Sequence, residues 1–520
     1  MVDSRYLLTD EQMIQFITKG YVVLQNELPQ QLHQQVMDSI YNVLHEEGNP
    51  GNNILPRVPD IQQFFDTPVV KGALTSVLGP DYYMHPHRHC HYNQPGNQTP
   101  GGGNWHKDGY WSSMRSHRPW WAMIFYYTQD ITEDLGPTAV MPGTQYYEKF
   151  IGDRGETVLP TGKAGTMVLV HFDMWHKASL NTTDLDRYML KFQFVRLRAP
   201  QRPSWNHTDG EFVVPQGTPA LHHHLWTDVW DWLRGVRAEA PSGIEADSSR
   251  LQQLENGLMA ESADIRGQAA DDAGRYGANA AALVPQLGRM LGDPVETAAL
   301  NASYALGHMG PEGVQELLAQ LSGESNPIAM RAAYGLQGAG AGAAAGLIEA
   351  LHHPNDRRRA LAAFVLGMIG SDAVSAVPAL LASMNDESEW VRRNAIEALG
   401  MIVQPAERIV PALARALEDS VTNETSGEAP SADSYSRNQD YITNKIGYTA
   451  ALSLLRIGKE GDPAIMLRAL EIGLTSRDRY VRAYAAEALT CLRTPEAVDT
   501  LIRFYRSSRW CPDTHKASTF

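Results

Sequence analysis

Asn104-Trp105-His106-Lys107-Asp108-Gly109-Tyr110-Trp111 sets an imidazole and a carboxylate two residues apart. On a β-strand, residues i and i+2 point to the same face, so His106 and Asp108 can reach one ion together. They are two thirds of the facial triad, two histidines and a carboxylate, that holds non-haem Fe(II). The spacing alone decides little, because His171/Asp173 and His207/Asp209 repeat it. What lies downstream separates the three pairs.

A third ligand must come from a distant strand, and a cation should stand beyond it to receive an anionic co-substrate. After the first pair, Gly165-Thr166-Met167-Val168-Leu169-Val170-His171 reads as a strand entered through a glycine turn. Trp175-His176-Lys177 follows, and then a second strand that opens on Arg187. The His171 pair has His176 only three residues behind Asp173, with no strand between them. The His207 pair has His223 and Arg234, but only a short Pro- and Gly-containing segment precedes that histidine, with no room for intervening strands.

His106-x-Asp108, with His176 and then Arg187 eleven residues later, resembles the phytanoyl-CoA dioxygenase family of Fe(II)/2-oxoglutarate oxygenases. Leu8-Thr9-Asp10-Glu11-Gln12, Phe16, Gly20-Tyr21-Val22-Val23-Leu24, Gly136-Pro137 and Pro142-Gly143-Thr144 are similar to that family as well. The likeness spans about residues 5–200, and the family's usual Ser-His after Pro-Gly is Thr144-Gln145 here. It implies a double-stranded β-helix, a jelly-roll of cupin-like type, with flanking helices. It also implies Fe(II) held by His106, Asp108 and His176, with 2-oxoglutarate and O2 taking the remaining positions. Arg187 would pair with the far carboxylate of 2-oxoglutarate, which its planar fork suits better than a lysine would. Asn181 and Ser179 lie beside that co-substrate or shape a turn, and Phe125 walls its pocket or packs in the core. Succinate and CO2 are the expected co-products. Related halogenases lack the carboxylate ligand, so Asp108 favours hydroxylation or a related oxidation, and the expected substrate is an unidentified small organic or lipid-like molecule. No segment reads as a coenzyme A site. The rival reading is a non-catalytic adaptor with a relic barrel, and an intact triad argues against it.

At 520 residues the chain is too long for one core, so two or three domains are expected. The net charge of −15 divides into −6 before residue 241 and −9 after it, which argues against nucleic acid as a partner. Three scattered cysteines build neither a disulfide framework nor a zinc ribbon. The start carries no apolar signal region and no run approaches a membrane span, so a cytoplasmic location is expected.

Thr9 is placed to cap a helix that Gly20 ends, and strands are expected over 21–24, 82–93, 120–127 and 188–198. A second helix is expected over 28–45 and a loop over 48–60. In 82–93 the alternating His85, His87, His89 and His91 share one face of a strand, as a second metal site, a substrate-lining stripe or a plain polar face. The family resemblance places the opposite face, Cys90 and Tyr92, nearer the iron. The tri-histidine tract at 222–224 opens a helix with Trp226 and Trp230 that reads as packing at a domain junction.

Beyond residue 260 the texture changes to Ala, Leu, Gly and Arg with a period of about 30–33 residues. Leu306-Gly307, Leu366-Gly367 and Leu399-Gly400 mark it, and Val377-Pro378-Ala379-Leu380 opens a typical second helix. The pattern resembles short HEAT repeats of the bilin-lyase type, about seven of them, forming an all-α solenoid for a protein partner or self-association. The domains expected are therefore an oxygenase over 1–240, a linker over 241–262, the solenoid over 263–510 with a disordered insertion at 421–440, and a tail over 511–520.

Overall fold

The computed structural model describes residues 2–507 except 97, 99, 153–155, 209, 217, 219–220, 237–243, 246 and 425–440. The chain opens with the helix Asp10–Lys19, capped reciprocally by Thr9 and Gln12 and ended by Gly20 in the left-handed region. Met13, Ile14, Phe16 and Ile17 fall on its inner face and are buried. Among the described residues seven strands follow: β1 (Tyr21–Gln25), β2 (Tyr83–Asn93), β3 (Trp121–Tyr127), β4 (Thr138–Val140), β5 (Thr166–His171), β6 (His176–Ala178) and β7 (Arg187–Val195).

Five of them pair antiparallel in the order β1-β5-β3-β7-β2, and β4 pairs with β6 in a second, smaller sheet. This is a double-stranded β-helix-like core flanked by helices. Strand alternation divides the large sheet into two faces. Tyr126, Phe192 and Phe194 point to the side covered by Phe64 and Phe65, with the Phe65 and Phe192 rings stacked 4.5 Å apart. Phe125 and Lys191, cross-strand partners in β3 and β7, point to the other side. That side carries the metal centre. The loop expected over 48–60 contains a 3-10 turn, Gly51–Asn53, and the short helix Ile54–Arg57.

The C-terminal region is α-helical. One layer stacks Ala263–Gly274, Glu296–Gly307, Asn326–Gly338, Asp356–Ile369, Glu389–Ile402, Lys445–Ile457 and Arg479–Leu492, each on the next. Glycine at the Leu-Gly marks has a steric cause: a Cβ at Gly307 would come within 2.5 Å of the Gly335 carbonyl, where neighbouring helices touch. The layers are tied by pairs such as Arg266–Asp293 and Arg359–Asp386, both at 2.7 Å. Part of the linker expected over 241–262 is the helix Ser248–Leu258, which packs on Ala263–Gly274. Most of the insertion at 421–440 and the whole 511–520 tail lie outside the described residues. Asp356–Ser383 is the one described stretch long and apolar enough to cross a membrane, and 72% of its apolar window is buried within the protein.

The stacked layer is not a bare surface, because it packs against the oxygenase half. Ser113 donates from its amide and hydroxyl to Glu397 at 2.8 and 2.6 Å, and Trp390 donates to the Ser113 carbonyl at 3.2 Å. His117 bonds the Tyr304 hydroxyl at 2.9 Å and stacks on Tyr334 with centroids 3.9 Å apart. Arg118 pairs with Asp228 and donates to the Met368 carbonyl. His222 bridges Tyr147 and Asn301, so the tri-histidine tract sits at this junction. Glu397 and Arg456 form a buried ion pair at 3.2 Å behind Ser113.

Candidate metal centre

His106 and His176 meet through the backbone. Each donates its amide to the other's carbonyl at 3.0 Å, a one-residue antiparallel bridge beside β6. Residues opposed in this way project their side chains to the same side, and the two imidazole rings lie 4.5 Å apart. Asp108 follows two residues on, and one ligand atom from each of the three lies within 4.8 Å of the others. Only His106 is paired here, so the motif is extended chain rather than the strand its spacing suggests. The alternation still holds: Lys107, between the two ligands, donates to the Gln145 carbonyl.

The donor set fits a divalent transition metal. His106 Nδ1 lies 2.8 Å from the Asn104 carbonyl, and His176 Nδ1 lies 3.0 Å from the Met174 carbonyl. A carbonyl only accepts, so each Nδ1 carries the proton and each Nε2 offers its lone pair. Burial pushes His176 down to about 4, against the opposing pull of Asp108, which leaves it neutral at neutral pH. Burial also works against charge on Asp108, but Lys191 and the two histidines outweigh it and hold the carboxyl below its ordinary range. His176 Nε2 stands 3.7 Å from Asp108 Oδ1. Iron held by these three would supply the oxidising chemistry, with 2-oxoglutarate decarboxylated to succinate and CO2.

The chain's own residues orient that centre. Lys191 Nζ donates to both Asp108 oxygens, at 2.9 and 2.7 Å, and fixes the carboxylate. Arg115 donates to the Asp108 carbonyl at 2.5 Å and pairs with Asp173, which anchors the motif's backbone. Lys191 was not singled out by sequence reasoning. Its signal is its even offset from Arg187 on one strand, which puts both cations on the same face.

Arg187 opens β7 and is buried. It donates to the Gly136 carbonyl at 3.1 Å and the His91 carbonyl at 3.3 Å, and forms no ion pair among the described residues. Gly136 has φ +72°, and a Cβ there would sit within 2.9 Å of the Ser179 and Leu180 carbonyls, so the turn facing Arg187 admits only glycine. Asn181 donates to the Asn93 and Leu185 carbonyls and accepts from Thr183, so its side chain is engaged in the turn. The Ser179 carbonyl accepts from Asn93. Phe125 lies on the metal-bearing face, 5.8 Å from the His176 ring.

Of the rival pairs, His171, Asp173 and His207 do not reach the centre. His171 is a core histidine whose Nδ1 accepts from the Asp173 amide at 3.2 Å. His207 pairs with Asp10 at 2.9 Å, and Asp209 lies outside the described residues. The histidine ladder of β2 corrects an expectation. Its register sets His89 opposite Lys191 and His91 opposite Met189, so the ladder shares the metal-bearing face. Cys90 and Tyr92 point away, Tyr92 stacking on Tyr188.

Residues 18–189 match the phytanoyl-CoA dioxygenase (PhyH) family. With the three ligands gathered as described, this makes the chain an Fe(II)- and 2-oxoglutarate-dependent oxidoreductase. More narrowly, it carries an N-terminal phytanoyl-CoA dioxygenase-like oxygenase domain followed by a C-terminal helical region, of which residues 344–429 match HEAT repeats. No curated protein matches the chain. Among solved structures, EctD from S. alaskensis with bound Fe shares 18% identity over 40% of this chain and 84% of that one, with a TM-score of 0.32. The non-heme monooxygenase ThoJ in its apo form shares 16% over 42% and 93%, at 0.31. The non-heme alpha ketoglutarate dependent carbocyclase SnoK from nogalamycin biosynthesis shares 17% over 38% and 90%, at 0.31.

Proposed function

We propose that this oxygenase hydroxylates a small organic substrate, with Arg187 receiving the far carboxylate of 2-oxoglutarate. Arg187 itself carries the reading: a buried guanidinium met only by backbone carbonyls is a receptor for an anion brought from outside. Phe125, 5.8 Å from the His176 ring, walls the 2-oxoglutarate pocket. Asn181 and Ser179 act through the turn that supports Gly136, and Asn181 shapes the co-substrate pocket without needing to touch the ligand. We read the helical region as a HEAT solenoid, supported by its stacked helix pairs and by the match over 344–429. Its layer away from the oxygenase half is the surface for a protein partner or self-association. A cytoplasmic location fits the free thiols of Cys90 and Cys491.

Anaerobic titration of the full chain with Fe(II) and 2-oxoglutarate tests this. A visible charge-transfer band of the chelate is expected, followed by succinate release on admitting oxygen. A chain that binds neither metal nor co-substrate would be the non-catalytic adaptor instead.

A further inference from the structure

Four features bear on the substrate. First, β2 runs its histidines along the metal-bearing face: Asn93 opposite Arg187, His91 opposite Met189, His89 opposite Lys191. Arg187 and Lys191 are therefore about 13 Å apart along one strand, four residues at about 3.3 Å each. The co-substrate belongs to the Arg187 end, which leaves the Lys191 end for the substrate. Second, His91 is exposed although its neighbours are Arg187, Lys191 and Asp108, so this face opens to solvent beside the metal.

Third, the far side of this opening comes from the other half of the chain. His87 Nδ1 lies 2.8 Å from the Tyr480 hydroxyl, which also accepts from Asn52 at 3.3 Å. Tyr480 sits in the first turn of the helix Arg479–Leu492, and His85 bonds Tyr484 of the same helix at 2.7 Å. Fourth, the exposed Arg479 stands 5.4 Å over the Tyr480 ring, and its charge reaches both His87 and His89. Two cations thus flank the ladder.

We infer that the substrate is an organic anion bound along His87, His89 and His91, with its acidic group between Lys191 and Arg479, so that the helical region completes the active site. The inference rests on the oxygenase reading above. The imidazole rings and the exposed Tyr441, whose ring lies 5.6 Å from that of His87, line this face and favour a flat, conjugated body. Arg479 is a specificity residue contributed across nearly three hundred residues of sequence from β7.

Benzoate and its neutral counterpart benzamide are the probes. The full-length chain is charged anaerobically with Fe(II) and saturating 2-oxoglutarate, and the charge-transfer band of the chelate is followed as each probe is added. Benzoate is expected to perturb the band and to bind at least about tenfold more tightly than benzamide, as a charge-assisted contact requires. Arg479→Ala should remove that preference and Arg479→Lys should restore part of it, while both variants form the chelate as the wild type does. Arg479 is exposed, so neither substitution disturbs a core. A normal chelate with equal binding of the two probes, no response to benzoate, or an unchanged preference in Arg479→Ala overturns the inference alone. A wild-type chain that forms no chelate overturns the oxygenase reading, and this one with it.

Discussion

Lys191 Nζ grips both carboxylate oxygens of Asp108, at 2.9 and 2.7 Å. A lysine placed so close to a metal ligand has two opposed effects. It steadies the carboxylate, and its charge repels the cation the carboxylate must hold. At an effective dielectric near 20 the repulsion between a unit charge and a divalent ion a few ångströms away is several kcal/mol before screening. Lys191→Met should therefore tighten Fe(II) binding by about tenfold or more, while turnover falls because Asp108 loses its orientation. Metal titration alongside succinate release checks the pairing. Weaker metal binding would mean that orientation outweighs charge.

The ligands and the decoys are separable by metal analysis. Asp108→Ala and His176→Ala should lose Fe(II) and with it 2-oxoglutarate turnover. His171→Ala, Asp173→Ala and His207→Ala should keep the metal, since His171 lies in the core and His207 is held by Asp10. Iron lost from His171→Ala but retained in His176→Ala would contradict the triad.

Arg187→Ala should leave Fe(II) in place and weaken 2-oxoglutarate by about ten- to a hundredfold, the worth of a charge-assisted contact of roughly 1.5–3 kcal/mol. Isothermal titration with a redox-silent divalent metal measures it directly. Unaltered affinity would place the co-substrate carboxylate elsewhere.

Glu397→Ala should destabilise the whole chain by about 3–5 kcal/mol, because it strands Arg456 in the interior. Burial raises the Glu397 carboxyl, but Arg456 and Ser113 more than reverse this and leave it below its ordinary 4.5. A depressed pKa gives stability that is complete above about pH 4.5 and is lost as the pH falls through the lower folded value. Urea unfolding across that range should show a steeper acid loss in the wild type than in the double variant Glu397→Leu, Arg456→Leu. Equal slopes would remove Glu397 from the account.

The metal ligands were legible because each is announced locally: a two-residue spacing, a glycine-entered strand, a fixed interval to Arg187. Lys191 was legible in principle, since counting even offsets along β7 puts it beside Arg187, but nothing in sequence says that its partner is Asp108. The direction of the histidine ladder was lost for a different reason. A register irregularity between Met84 and Arg88 intervenes in β2, and the face each residue takes is fixed by pairing with β7 rather than by alternation alone. The contact between the two halves left the faintest trace. Tyr304, Tyr334, Tyr480 and Tyr484 stand on helices of the stacked layer, and they contact His117, His87 and His85.

The backbone bridge between His106 and His176 bears on how such a site changes over time. The two bonds that join the ligands and the carbonyls that orient their rings all belong to peptide units, which every residue type possesses. Substitution at Asn104 or Met174 therefore leaves the proton on each Nδ1 where it was. Side chains around the metal are free to drift, and substrate preference with them, while the ligand pair is inherited along with the path of the main chain.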